Sequence, residues 1–312
     1  MAVPPIRVAF LGSGAFGLPT LRALSKAHEL VAVVSQPDKP AGRGMKLTTT
    51  PIADWAATHR RDVPLFKPPD VNETSVLSAL RGLKTDAWVV IAFGQKLGEP
   101  LLADRFAINL HASLLPRWRG AAPINAAILA GDTVTGNSVI TLARRMDAGL
   151  ILGQSRRDIP PTQTAGELHD LLAADGPALV LDVLARSRAG SLQPVGQDES
   201  LVTKARKLSK DDGRLDFTHP AAALRCKVHG LTPWPGVAVD IGGIPVKLLR
   251  VIDLQAVGAS LPGILIDAGR GLIACGQETA LHVLEVQPAG GRPMAWEAFA
   301  RGRQVAAGTP IR

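Results

Sequence analysis

With 312 residues, 46% of them hydrophobic and 20% charged, the chain has apolar material for two domains and none of the depletion that marks disorder. The net charge of +8 is uneven: residues 203–312 hold 14 Lys and Arg against 9 Asp and Glu, which suits a phosphate-bearing partner or a solubilising surface equally. Cys226 and Cys275, with no CxxC and no His at zinc spacing, exclude a disulfide framework and a structural metal, and nothing reads as a signal sequence or membrane span, so a cytosolic protein is expected.

The first half alternates strand and helix. "IRVAFLG" predicts a buried strand, "GLPTLRALSKA" a helix and "ELVAVVSQ" a second strand. Helical stretches at 51–60 and 72–82 follow, then strands at "DAWVVIAFG" and "FAINLHA". This alternation predicts a doubly wound parallel sheet covered on both faces, with ligands beyond the carboxyl ends of its strands. The ends in question are Phe93-Gly94-Gln95, Asn109-Leu110-His111 and the loop after residue 34. A long helix over 165–187 closes this part, and the polar, Gly- and Ser-containing stretch 190–206 reads as a linker between a catalytic domain, 1–189, and a smaller one, 207–312. Beyond it lie five short strands at close spacing, the first two separated by Gly242-Gly243 like a hairpin turn, and a helix near "MAWEAFARGR". A small β-barrel of the oligonucleotide-binding type fits.

"GSGAFG" at 12–17 matches G-x-G-x-x-G between a strand and a helix, with Asp38 about twenty residues on, as a dinucleotide site asks. Against that reading, Asp38 follows Pro37 in a loop instead of standing at a strand tip, and a glycine-rich turn serves any close backbone approach.

The sharper signal is "AINLHASLLPRWRGAAP", 107–123. Residues i and i+2 of a strand share a face, so Asn109 and His111 point together into the crevice. An amide N–H and an imidazole there can hold an oxygen that turns negative as a carbonyl carbon becomes tetrahedral. The alternative is an Asn that satisfies a loop and a packed His. A third group bears on the choice: "ITLARRMDAGLILGQ" places Asp147 in a tight turn between two apolar runs. A buried carboxylate beside an imidazole favours the protonated ring and orients it, although Asp147 also suits a plain turn. Trp118 between Arg117 and Arg119 reads as a packing anchor or as a stacking platform for a base, with the arginines on phosphates.

The run Asn109-Leu110-His111-Ala112-Ser113-Leu114-Leu115-Pro116-Arg117-Trp118-Arg119-Gly120, with Asp147 downstream, resembles the folate-dependent formyltransferases, most closely those that act on methionyl-tRNA. "QPDKPAGRGMKLTTTP" at 36–51 is similar to a loop that this family inserts after its second strand, and "KLSKDDGRLDF" and "LTPWPG" are similar to its C-terminal domain. The resemblance implies a Rossmann-like formyltransferase domain followed by a tRNA-binding barrel, with Asn109, His111 and Asp147 as the catalytic set. It implies that Ser113, Leu114, Leu115 and Pro116 contact the folate, with Phe93, Gly94 and Gln95 lining its pocket, and that Arg43, Lys39 and Lys46 meet the tRNA acceptor arm. The co-substrate would be 10-formyltetrahydrofolate and the acceptor initiator methionyl-tRNA, with no metal, no membrane and a monomeric enzyme. Rival readings are a formyltransferase acting on an amino sugar or glycinamide ribonucleotide, a formyl-folate hydrolase, a non-catalytic RNA-binding protein and a nicotinamide enzyme.

Overall fold

A strand with apolar side chains on both faces is satisfied only inside a sheet covered on both sides, and Val8 to Leu11 and Ala87 to Ile91 are buried throughout. The computed structural model describes residues 4–41, 44–255 and 258–312, and groups the chain into two units. The first comprises Met1–Arg119, Gly136–Arg157 and His169–Thr203; the second comprises Gly120–Thr135, Asp158–Leu168 and Lys204–Arg312.

The first unit is built on a seven-stranded sheet. Its strands are β1 (Arg7–Gly12), β2 (Glu29–Val34), β3 (Leu65–Phe66), β4 (Ala87–Ile91), β5 (Ala107–His111), β6 (Val134–Thr141) and β7 (Ile151–Asp158). They lie in the order β7-β6-β5-β4-β1-β2-β3. The strands β1 to β5 are parallel, as expected, but β6 runs antiparallel to β5 and pairs Asn109 with Ile140 and His111 with Ser138. Sequence cannot supply that direction, because a buried apolar run looks the same from either end. The strand order reverses between β1 and β4, and in such sheets this switch point marks the crevice at the carboxyl ends of the strands where ligands bind.

The helices cover this sheet through short apolar stripes. Leu18–Ala27 turns Thr20, Leu21 and Leu24 inward, and Pro51–His59 starts on a Thr50 cap whose hydroxyl accepts from the Ala53 N–H at 3.1 Å, with Pro51 in the first turn. The long helix Ala165–Arg188 passes close to β5 at Gly176, where a Cβ would come within 2.7 Å of Leu110 Cδ2. The stretch after β2 forms a hairpin, Lys39–Ala41 against Lys46–Thr48, where a loop was expected.

In the second unit the strands are β8 (Val237–Ile241), β9 (Ile244–Leu254), β10 (Leu265–Asp267), β11 (Leu272–Cys275), β12 (Thr279–Pro288) and β13 (Met294–Ala295). They form an antiparallel sheet ordered β8-β9-β12-β11-β10, with β13 on β12. Gly242 and Gly243, at φ 59° and 85°, make the expected tight turn. The last residues act as a closing stave: Asp240 and Arg312 exchange backbone hydrogen bonds, while Ile311 N–H donates to Gly263 and Leu265 N–H to Thr309. They thereby join β8 to the segment that leads into β10.

A helix that the sequence reading did not predict, Ala221–Leu231, plugs this barrel with Leu224, Val228 and Leu231. His229 on it is fully buried; its Nε2 accepts from the Val251 N–H at 3.1 Å, so its Nδ1 carries the proton toward Pro161 O, also at 3.1 Å. Burial pushes its pKa down to about 4.

Counting charge by unit reverses the expectation taken from the linear sequence. Segments 120–135 and 158–168 join the barrel and bring Asp132, Asp158 and Glu167 with them. The second unit therefore holds 14 basic against 12 acidic residues, and the first 21 against 15. Among the described residues no helix is long and apolar enough to cross a membrane.

Candidate active site

Strand β5 carries Asn109 and His111 to the carboxyl edge of the sheet, Asn109 half-buried and His111 buried. Among the described residues no protein group hydrogen-bonds the Asn109 carboxamide, so its donor is available to a ligand. His111 is held from both sides: its Nε2 lies 2.9 Å from Trp118 O and its Nδ1 3.7 Å from Asp147 Oδ1. A carbonyl only accepts, so Nε2 must carry hydrogen. A neutral ring then has only a lone pair at Nδ1, facing a carboxylate. A second proton at Nδ1 would point toward Asp147, at a separation that is an ion pair and not a direct hydrogen bond.

Asp147 sits in the turn that the sequence predicted, at a left-handed φ of 54°. Gly149 makes this turn possible: Thr141 and Leu150 are bonded across it, and a Cβ at 149 would fall inside the van der Waals radius of Thr141 O. Trp118, which supplies the carbonyl to His111, is also left-handed, at φ 62°.

The predicted folate-contacting residues flank the crevice, but several of their polar groups are committed to the protein. Ser113 is buried and its hydroxyl donates to Arg117 O at 2.7 Å. Ser138, opposite His111 in the sheet, donates to Ser113 O at 2.6 Å and accepts from Leu115 N at 3.0 Å, while Gln154 donates to Leu115 O at 2.9 Å. Leu114 and Pro116 are half-buried, and Leu115 points into the protein. On the other bank Phe93 is a core residue, 2% exposed, and Gly94 has φ 81°. Gln95 accepts from Val71 N at 2.7 Å and donates to Pro68 O at 3.0 Å. The Phe93 carbonyl receives Ser13 Oγ and Gln36 Nε2, which ties together the loops after β1, β2 and β4. Sequence reasoning missed Ser138 and Gln154, which lie on β6, beside the marked strand, and on β7, the strand beyond it.

The glycine motif has a structural account. A Cβ on Gly12 would lie 2.7 Å from Ile91 O, so this glycine lets β1 approach β4. Asp38, the would-be ribose ligand, sits past β2 and binds Lys67 through both oxygens at 2.8 Å; that hydrogen bond holds its carboxyl below the usual range.

Of the residues expected to meet nucleic acid, Lys39 and Lys46 lie on the hairpin, Lys46 exposed and Lys39 bonded to Gln36 at 3.2 Å. Arg43 lies outside the described residues. Arg117 is exposed, with its guanidinium 4.9 Å from the Trp118 ring. Arg119 is buried at 6% exposure and binds Gln197 Oε1 at 2.9 Å and Glu199 Oε1 at 3.0 Å. Its guanidinium therefore faces protein. Arg119 and then Arg145 hold the Glu199 carboxyl below its ordinary range.

Two family profiles match the chain: formyl transferase over residues 6–184 and formyl transferase, C-terminal domain, over 207–304. The methionyl-tRNA formyltransferase of Parvibaculum lavamentivorans is 42% identical, covering 95% of this chain and 97% of its own. That of Rhodopseudomonas palustris is 40% identical over 98% and 99% of the two chains, and that of Chloroflexus aurantiacus 39% over 95% and 97%. Among solved structures, an N-formyltransferase from Helicobacter canadensis in complex with folinic acid and dTDP-3-aminofucose superposes with a TM-score of 0.70 at 13% identity, over 89% of this chain and 98% of that one. HypX from Aquifex aeolicus in complex with tetrahydrofolic acid gives 0.63 at 14% identity over 95% of this chain, which spans about half (47%) of HypX. At such identities these two likenesses concern the fold.

Proposed function

Because the chain belongs to the formyl transferase family, we propose that it transfers the formyl group of 10-formyltetrahydrofolate to the free α-amine of initiator methionyl-tRNA, giving N-formylmethionyl-tRNA for the start of translation. The observation that carries the reading is the His111–Asp147 pair beside Asn109 at the carboxyl end of β5. Relatives at 39–42% identity across at least 95% of the chain favour methionyl-tRNA over an amino sugar as acceptor, since the sugar enzyme shares only a fold at 13%.

In the reaction the amine nitrogen bonds to the formyl carbon, the bond from that carbon to N10 breaks, and the amine proton ends on the leaving nitrogen. Charge builds on the formyl oxygen between these events. The Asn109 carboxamide donates to that oxygen, and the positive charge of the doubly protonated His111 stabilises it. Asp147 orients the ring, balances its charge and, directly or through water, carries the amine proton. Phe93, Gly94 and Gln95 on one bank and Ser113, Leu114, Leu115 and Pro116 on the other shape the folate pocket. Since the Ser113 hydroxyl and Gln95 carboxamide are already bonded, they act by fixing backbone. Lys39 and Lys46 on the hairpin, with Arg43, place the acceptor end. In this assignment the first unit, which includes residues 190–203, is catalytic and residues 207–312 bind tRNA, in a monomeric enzyme of the cytoplasm.

The test is formylation of methionyl-tRNA with 10-formyltetrahydrofolate, run beside an amino-sugar nucleotide as alternative acceptor and an NAD(P) titration. Formyl-methionyl-tRNA as sole product is expected. Formyl transfer to the sugar alone, or saturable NAD(P) binding without folate binding, would overturn the proposal.

A further inference from the structure

Both residues of the His111–Asp147 pair are braced by one short segment of chain. The carbonyl that receives His111 Nε2 belongs to the peptide between Trp118 and Arg119, and the N–H of that same peptide donates to Thr203 O at 3.0 Å. The preceding peptide is fixed too, since Trp118 N–H donates to Thr203 Oγ1 at 2.9 Å. On the other side Gln197 Nε2 donates to Asp147 O and to Gly149 O, each at 2.8 Å, so its two hydrogens span the turn that carries the carboxylate. The orientation of the amide is determined: a guanidinium only donates, so the Gln197 oxygen faces Arg119 Nε and the nitrogen faces the carbonyls. From 193 to 200 every residue is exposed except Gln197. The turn it spans is closed at its base by Thr141 and Leu150, while Met146 is 71% exposed and Asp147 is in a left-handed conformation that a non-glycine residue rarely adopts.

We infer that residues 197–203 form a strap whose Gln197 and Thr203, with the buried Arg119 orienting Gln197, are positioning residues for the His111–Asp147 pair. The strap touches no reacting atom. It sets where Nδ1 and the carboxylate stand relative to each other, and a misplacement of about 1 Å costs up to roughly a hundredfold in rate. The inference rests on the catalytic reading of His111 and Asp147 given above.

A double-mutant cycle on the full-length protein tests it. Single-turnover formylation of methionyl-tRNA is measured for the wild type, Gln197→Ala, Asp147→Asn and the double variant, with Thr203→Val and Thr203→Ser alongside. Gln197→Ala is expected to lose about tenfold or more in turnover with KM within about twofold, and to lose nothing further once Asp147→Asn is present. Thr203→Val, which removes the hydroxyl that accepts from the Trp118 N–H, should slow turnover, and Thr203→Ser, which keeps the acceptor, should restore it. An equal loss from Gln197→Ala in both backgrounds would mean a general structural role and overturn the inference, as would full turnover in Gln197→Ala or a serine variant no better than valine. If Gln197→Ala does not fold, Gln197→Glu keeps the acceptor toward Arg119, loses both donors and serves in the same cycle. Failure of the underlying catalytic reading shows separately, as unchanged turnover in Asp147→Asn alone.

Discussion

Asp147→Asn removes one charge and almost no volume, which makes its effect calculable. The carboxylate oxygen lies 3.7 Å from His111 Nδ1, and the two side chains are 13% and 7% exposed. At an effective dielectric of about 20, a full charge pair at that distance is worth about 4 kcal/mol. If all of it is realised only when the ring is charged in the transition state, turnover falls by about a thousandfold. If part of it is already present in the ground state the loss shrinks, with about tenfold as the floor of the argument. The Asn oxygen can still face the ring, so geometry is largely kept. Rapid-quench formylation with enzyme in excess over methionyl-tRNA isolates the chemical step, and filter binding reports tRNA affinity, which should stay within about twofold because the lost interaction acts on charge formed during reaction. A rate within threefold of wild type, roughly 0.7 kcal/mol, would refute the claim that Asp147 acts electrostatically on His111.

Asn109→Ala should lower turnover by about a hundredfold with KM little changed, as for loss of one donor to a developing oxyanion; a change in KM alone would assign Asn109 to ground-state binding. Gly149→Ala, which drives a methyl group into Thr141 O, should destabilise by about 3 kcal/mol or more; a melting temperature within a degree of wild type would show that the turn is laxer than described. His229 titrates at its ordinary 6.5 when unfolded and at about 4 in the fold, so below pH 6.5 the unfolded chain binds the extra proton. Stability should be full above that pH and decline by up to about 3 kcal/mol as pH falls to 4. In His229→Gln, whose amide can replace both hydrogen bonds, the melting temperature should fall less over that range, and parallel curves would dispose of the assignment. Arg43→Ala should reduce formylation more than tRNA affinity, because a misplaced amine loses its attack geometry; equal losses in both would make Arg43 a simple phosphate contact.

Sequence by itself determined what depends on local pattern. Continuous apolar runs gave the buried strands, and the i, i+2 spacing put Asn109 and His111 on one face because alternation is a property of extended backbone. Met146-Asp147-Ala148-Gly149 was legible as a turn, and Gly242-Gly243 as a hairpin. Only the tertiary structure decided what depends on segments distant in sequence. The direction of β6 and the tail's closure of the barrel are pairings, and hydrogen-bond partners across a sheet leave no mark on either strand alone. The helix Ala221–Leu231 escaped because its apolar residues match a barrel interior that exists only after folding. Arg119, for which phosphate contact was one of two readings the sequence left open, is buried because Gln197 and Glu199, some 80 residues away, satisfy its guanidinium. By the same measure a polar stretch that reads as a linker holds the His111–Asp147 geometry, since Gln197 and Thr203 act through backbone carbonyls and N–H groups that every residue possesses and no sequence distinguishes.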